Sequence, residues 1–182
     1  PQGLQPQAPL WLGLRIEHQP GWHTYWKNAG DSGLPTEFEW RLPAGLSAGP
    51  IAWPVPRKIP VGPLANYGYE DTVLLPVPLT VDAGFQPSPL GTVDIRLHAR
   101  WLVCRVECIP EEGDFSLRLN ARSSTAIHGA AFEAALASQP RDLPAHPGQR
   151  VAIDPATPAG TLDIALALSL IHISEPTRLL SI

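Results

Sequence analysis

Hydrophobic and polar positions alternate with a period of two in several segments between Leu10 and Asn120. In "PLWLGLRIEH", Leu10, Leu12, Leu14 and Ile16 fall on one face, with Arg15 and Glu17 on the other. "GWHTYWKN" places Trp22, Thr24 and Trp26 on one side and His23, Tyr25 and Lys27 opposite, and "TEFEWRL" sets Phe38 and Trp40 against Glu37, Glu39 and Arg41. In "VLLPVPLTV", Leu75, Val77, Leu79 and Val81 align while Pro76 and Pro78 occupy the other face. Proline cannot donate to a ladder, so this segment is expected at a sheet edge. The longest alternation, "TVDIRLHARWLVC", runs through Val93, Ile95, Leu97, Ala99, Trp101 and Val103, and "DFSLRLN" repeats it with Phe115, Leu117 and Leu119. Segments of this period, separated by Gly/Pro turns, predict an all-β antiparallel sandwich with one buried face per sheet. Trp22, Trp26, Trp40 and Trp101 are expected in its core.

After Asn120 the pattern changes. "SSTAIHGAAFEAALASQ" predicts a short helix with Ser124 as N-cap and a Phe132–Leu136 pair one turn apart. "PRDLPAHPGQ" reads as a linker. "TLDIALAL" resembles the first strand of a further segment, and "LIHISEPTRLLSI" resembles translated adapter or vector sequence. The expected organisation is therefore a sandwich over residues 1–122, a helix and linker over 123–150, the start of a truncated second β domain over 151–169, and a non-native tail over 170–182. The chain reads as a fragment.

Composition narrows the picture. The 22 prolines and 15 glycines among 182 residues disfavour long helices and suit short strands with many turns. A net charge of −4, with no lysine/arginine cluster, leaves no electrostatic footprint for nucleic acid or an anionic membrane surface. The most apolar run, Thr161 to Ile173, is too short to span a bilayer and contains an aspartate. The chain starts at Pro1 and has no methionine, which fits either a removed signal peptide or a trimmed chain. No GxSxG, P-loop or HExxH motif supports a hydrolase or nucleotide reading. Histidines 18, 23, 98, 128 and 146 have no spacing suited to a catalytic dyad and read as surface or turn residues.

The chemistry concentrates in "ARWLVCRVECIPEEG", which holds the only two cysteines, Cys104 and Cys108. Along one extended strand their Cα atoms would lie roughly 13 Å apart, whereas a disulfide needs about 4.4–6.8 Å. If they bond, the chain folds back between them and strand structure ends near Cys104. Pro110 to Gly113 reads as a turn leading into the next strand. A closed loop this short stabilises by only about 2 kcal/mol, against nearly 5 for a loop of about 100 residues. That makes a poor staple and a reasonable redox couple. Three uses stay open on the spacing: a structural bridge, a redox pair, and a metal clasp with His98 or His23 beside the thiolates. Arg105 favours a thiolate and Glu107 disfavours one, so local charge gives no direction.

"PGWHTYWKNAGDSGLPTEFEW", "WPVPRKIPVGPLANYGYED" and "WLVCRVECIPEEG" together resemble the N-terminal periplasmic domain of the DsbD family of thiol:disulfide interchange proteins, in particular its ScsB-like (suppressor of copper sensitivity) branch. The resemblance covers roughly Pro9 to Asn120. It implies an immunoglobulin-like sandwich without a cofactor, belonging to a bacterial inner-membrane protein. That domain would sit in the periplasm, take electrons from a membrane-embedded reductase domain of the same full-length protein, and reduce thioredoxin-like partners or disulfide isomerases. By resemblance, Cys104 and Cys108 are the redox pair, with Cys108 attacking and Cys104 resolving. The family's cap loop, which shields the pair, matches "GPLANYGYED", with Leu64, Asn66, Tyr67 and Tyr69 as cover and Tyr25 lining the site. The cysteine spacing is shorter than in the best-known members and matches the ScsB-like branch. Two other functions stand beside this one: an immunoglobulin-like binding module with a passive disulfide, and Cu(I) capture by both thiolates.

Overall fold

The structure, a computed structural model, describes Leu4, residues 10–122 and 128–140, and the backbone of 151–153 and 164–166. Two compact units divide the chain, Pro1–Pro140 and Arg141–Ile182. The first is built from β1 (Leu10–Glu17), β2 (Thr24–Gly30), β3 (Glu37–Arg41), β4 (Leu46–Ala48), β5 (Arg57–Val61), β6 (Leu64–Tyr69), β7 (Thr72–Val81), β8 (Thr92–Cys104), β9 (Cys108–Asn120) and α1 (Gly129–Ala137). The strands form three antiparallel sheets ordered β1-β7-β4, β2-β6-β5 and β3-β8-β9. This is the all-β sandwich expected from the period-two pattern, of the immunoglobulin-like kind that the resemblance implies.

The inward faces meet in three apolar clusters. Leu12, Leu46, Leu79 and Val81 pack on Val93 and Ile95, joining the first sheet to β8. Leu14 continues this seam against Leu97 and Ala99. Tyr69, Val73 and Leu75, flanked by Trp26 and Trp53, tie in the remaining sheet. Each such aliphatic side chain contributes roughly 1.5–3 kcal/mol on burial. The helix covers the outer face of β1 and β7: a Cβ at Gly13 would lie 3.0 Å from Leu74 and 3.2 Å from Phe132.

Several expectations give way to the three-dimensional context. β7 is central, not an edge, because β4 pairs with it from Leu46↔Val81 to Ala48↔Leu79. The prolines are tolerated because β4 ends there. Pro78 and Pro76 only accept, from the N–H groups of Gly49 at 2.8 Å and Ala52 at 2.7 Å, on the side where their own donors are missing. Pro110 to Gly113 is not a turn but part of β9, and Gly113 lies opposite Ala99 in the ladder. Phe115 and Leu117 stay exposed although their phase points them inward, because β9 is the outer strand of its sheet. The tryptophans at 22, 26, 40 and 101 are half-buried at the margins of the core, and the Trp101 indole donates to Glu111 at 3.0 Å. Helix α1 begins at Gly129 with His128 as N-cap and no side-chain capping bond, while Ser124 lies outside the described residues. In the second unit the strand expected within "TLDIALAL" is Ile164–Leu166, paired antiparallel with Val151–Ile153. The linker beyond its first residue, Pro140, and the tail over 170–182 lie outside the described residues.

Candidate functional site: a disulfide across a hairpin turn

The chain reverses over Arg105, Val106 and Glu107, where the Arg105 N–H donates to the Glu107 carbonyl at 3.0 Å. β8 and β9 then run in register from Thr92↔Asn120 to Cys104↔Cys108. Beyond Arg100, the last β8 residue facing β3, the ladder is taken up by the chain entering β2. Cys104 donates its N–H to the His23 carbonyl and accepts from the His23 N–H, both at 2.9 Å. Since both polar backbone groups of Cys104 turn toward His23, it faces Cys108 as a non-hydrogen-bonded pair. That is the closer of the two antiparallel pairings, with Cα atoms about 4.5 Å apart. Here they are 4.1 Å apart and the sulfurs are joined as a disulfide.

The two cysteines differ in environment. Cys104 is 3% exposed, walled by β2, whereas Cys108 is exposed on the outer strand beside Val106, which is 96% exposed. The Arg105 guanidinium lies over the Trp22 ring at 5.3 Å and folds the turn back onto the chain before β2.

β2 and the residue that leads into it supply the polar groups around the sulfurs. The extended alternation turns His23 and Tyr25 to the same side, and both are buried. The Tyr25 hydroxyl lies 3.9 Å from Cys108 Sγ and 3.3 Å from His23 Nε2, and the two rings meet edge to face. Desolvation pushes the Tyr25 hydroxyl pKa up. It also holds His23 below the ordinary imidazole value, against the raising influence of Glu70. At neutral pH both groups are therefore uncharged. Gly33, at φ 101°, closes the site from behind; a side chain there would enter the Tyr25 ring.

The family model of the N-terminal domain of the thiol:disulfide interchange protein DsbD matches residues 3–120. The chain belongs to this family. Among solved structures, the N-terminal periplasmic domain of ScsB from Proteus mirabilis is similar, with a TM-score of 0.53 at 24% identity. That match covers 72% of this chain and 49% of the other, so the chain spans about half the length of that solved relative, and the likeness is one of fold. No curated protein matches the chain.

Of the residues that resemblance to the DsbD family singled out, the structure brings Cys104, Cys108 and Tyr25 together. The remaining four lie in β6, a strand between β5 and β2 and not a loop. Asn66 is buried and accepts from the Ser32 N–H and hydroxyl, both at 3.1 Å. Tyr69 is buried, donates to the Pro54 carbonyl at 2.7 Å and stacks on Trp53. Leu64 and Tyr67 are 39% and 36% exposed near the tip of the β5–β6 hairpin. His98, considered as a metal ligand, sits on the outer face against Asp114 and Glu112. Among the described residues no group of three or more His, Cys, Asp or Glu is arranged to hold a metal ion.

His23 is the site residue that sequence reasoning assigned to the surface. The signal was present: "WHTYW" puts it two residues from Tyr25 on the same strand face, and the structure buries it there at 3% exposure.

Proposed function

We propose that this domain is the periplasmic electron-delivering module of a DsbD-family reductase, working through Cys104 and Cys108. In the reduced domain, the Cys108 thiolate attacks the disulfide of a thioredoxin-like partner. A Cys108–partner disulfide forms, and the first partner sulfur leaves as a thiolate that takes up a proton. The Cys104 thiolate then attacks Cys108 Sγ, releasing the second partner sulfur and closing the Cys104–Cys108 disulfide. Two electrons and two protons pass to the partner in total. A membrane-embedded reductase domain of the same full-length protein restores the dithiol by the reverse sequence.

The observation that carries this reading is the asymmetry of the pair: one sulfur lies on an exposed outer strand and its neighbour is held in the wall of the sandwich. A partner can approach Cys108, and Cys104 is retained within reach to resolve the mixed disulfide. The tip residues Leu64 and Tyr67 serve in this reading as the shield that yields to a partner, with Asn66 and Tyr69 anchoring their strand.

Trapping tests the assignment. Cys104→Ser, mixed with an oxidised periplasmic thioredoxin-like protein, should accumulate a disulfide-linked adduct through Cys108, and Cys108→Ser should accumulate none. Adducts formed only through Cys104 would reverse the roles. A reduction potential far below about −300 mV would make the pair an inert bridge and end the proposal.

A further inference from the structure

The disulfide is flanked by one buried hydroxyl and, behind it, one buried imidazole, in the order Cys108 Sγ, Tyr25 Oη, His23 Nε2 with separations of 3.9 and 3.3 Å. The exchange chemistry as derived uses neither group. Nothing else in the structure requires a histidine just before β2: its backbone already pairs with Cys104, and an apolar ring would pack equally well against Tyr25.

We propose that His23 is a positioning residue that acts through Tyr25 to stabilise the thiolate of Cys108 in the reduced domain. This rests on the redox reading of the pair. The tyrosine has one proton and two neighbours to choose between. While the sulfur is in a disulfide it accepts weakly, and the hydroxyl proton is better placed on His23 Nε2. When reduction leaves a thiolate, a charge-assisted hydrogen bond to sulfur is roughly twice as strong as a neutral one. The hydroxyl then turns to Cys108, and its oxygen needs a donor in place of an acceptor. A neutral imidazole meets this demand by carrying its proton on Nε2 instead of Nδ1. His23 therefore lets the chain reverse polarity with the state of the sulfur, which phenylalanine at this position could not do.

Neutrality is part of the device. The titratable groups that act on His23 besides Tyr25 are Glu70, which favours its charged form, and His18, which disfavours it. Burial, reinforced by His18, outweighs Glu70 and holds the ring uncharged near neutral pH. Tyr25 likewise keeps its proton because burial disfavours the phenolate.

The test reads the thiol directly and needs no partner. In a Cys104→Ser background, Cys108 is the single thiol, and the pH midpoint of its alkylation by iodoacetamide reports its pKa. Tyr25→Phe should raise that midpoint by about one unit, slowing alkylation at pH 7 about tenfold. His23→Phe should move it in the same direction by less, and His23→Gln, which keeps an N–H donor, should restore most of the shift. An unchanged or lowered midpoint in Tyr25→Phe would overturn the proposal. So would equal effects of the Phe and Gln variants at His23. If the variants unfold, the nitrogen chemical shifts of His23 in the unaltered reduced protein decide instead: the Nε2–H form is expected above the Cys108 midpoint, and a persistent Nδ1–H form overturns the proposal. Partner exchange is a separate readout, so failure of the redox reading and failure of this chain are distinguishable.

Discussion

At the scale of single residues the site depends on Gly33 as much as on any polar group. Its φ of 101° is strained for any L side chain, and the space a Cβ would fill is already occupied by the Tyr25 ring. Gly62, at φ 59°, provides a control, because nothing lies within 4 Å of a Cβ built there. Gly62→Ala should cost about 1 kcal/mol, the left-handed penalty alone, whereas Gly33→Ala should cost about 3 kcal/mol or more. Urea denaturation of the two variants checks this, and equal costs would show that the ring yields freely. The sequence carried the cysteines plainly, since there are only two and their spacing requires a reversal between them if they bond. It did not reveal Gly33, because a glycine among "GDSGLP" reads as one more turn residue. Its role comes from a tyrosine eight positions earlier that only the fold brings above it.

At the scale of elements, a period of two identifies strands but not their rank within a sheet. Leu75 in β7 and Phe115 in β9 show the same alternation, yet Leu75 is 0% and Phe115 42% exposed. Leu75→Ala should therefore destabilise by about 2–5 kcal/mol. Phe115→Ser should stay within about 1 kcal/mol, as for other exposed positions. Comparing denaturant midpoints at constant slope tests the contrast, and a large loss at Phe115 would mean that something covers this strand in solution. The same blindness explains the other departures from expectation. Proline marked β7 as an edge because the sequence cannot show that β4 stops one residue before the missing donors matter. Pro110 and Gly113 marked a turn because the cue for continuing β9, a 13-residue register with β8, lies at distant positions. "GPLANYGYED" is expected as a loop only through its match to the family's cap loop, whereas Gly68 is paired with Tyr25 in the ladder between β6 and β2.

At the scale of the whole molecule, the proposed electron delivery requires a domain that is folded both with and without its disulfide. The core clusters are built from β1, β4, β6, β7 and β8 by side chains other than the cysteines, and they do not depend on the bond. The bond itself closes a loop of about five residues, and restraining so short a loop in the unfolded chain stabilises by only about 2 kcal/mol. The turn keeps further ties of its own, since Arg105 rests on Trp22 and Cys104 is bonded to His23 through both its N–H and its carbonyl. Reduction should therefore leave one cooperative unfolding transition, with Tm lower by roughly 5–10 °C. The Cys104→Ser/Cys108→Ser double variant should match the reduced protein. Calorimetry in the presence and absence of reductant reads the difference, with the double variant separating the loss of the bond from any effect of free thiols. Were the reduced protein to lose its transition altogether, the bridge would be holding the sandwich together, and delivering its electrons would cost the domain its fold. A small decrease is what the proposed exchange requires, since the pair would then open and close on a scaffold that keeps its fold.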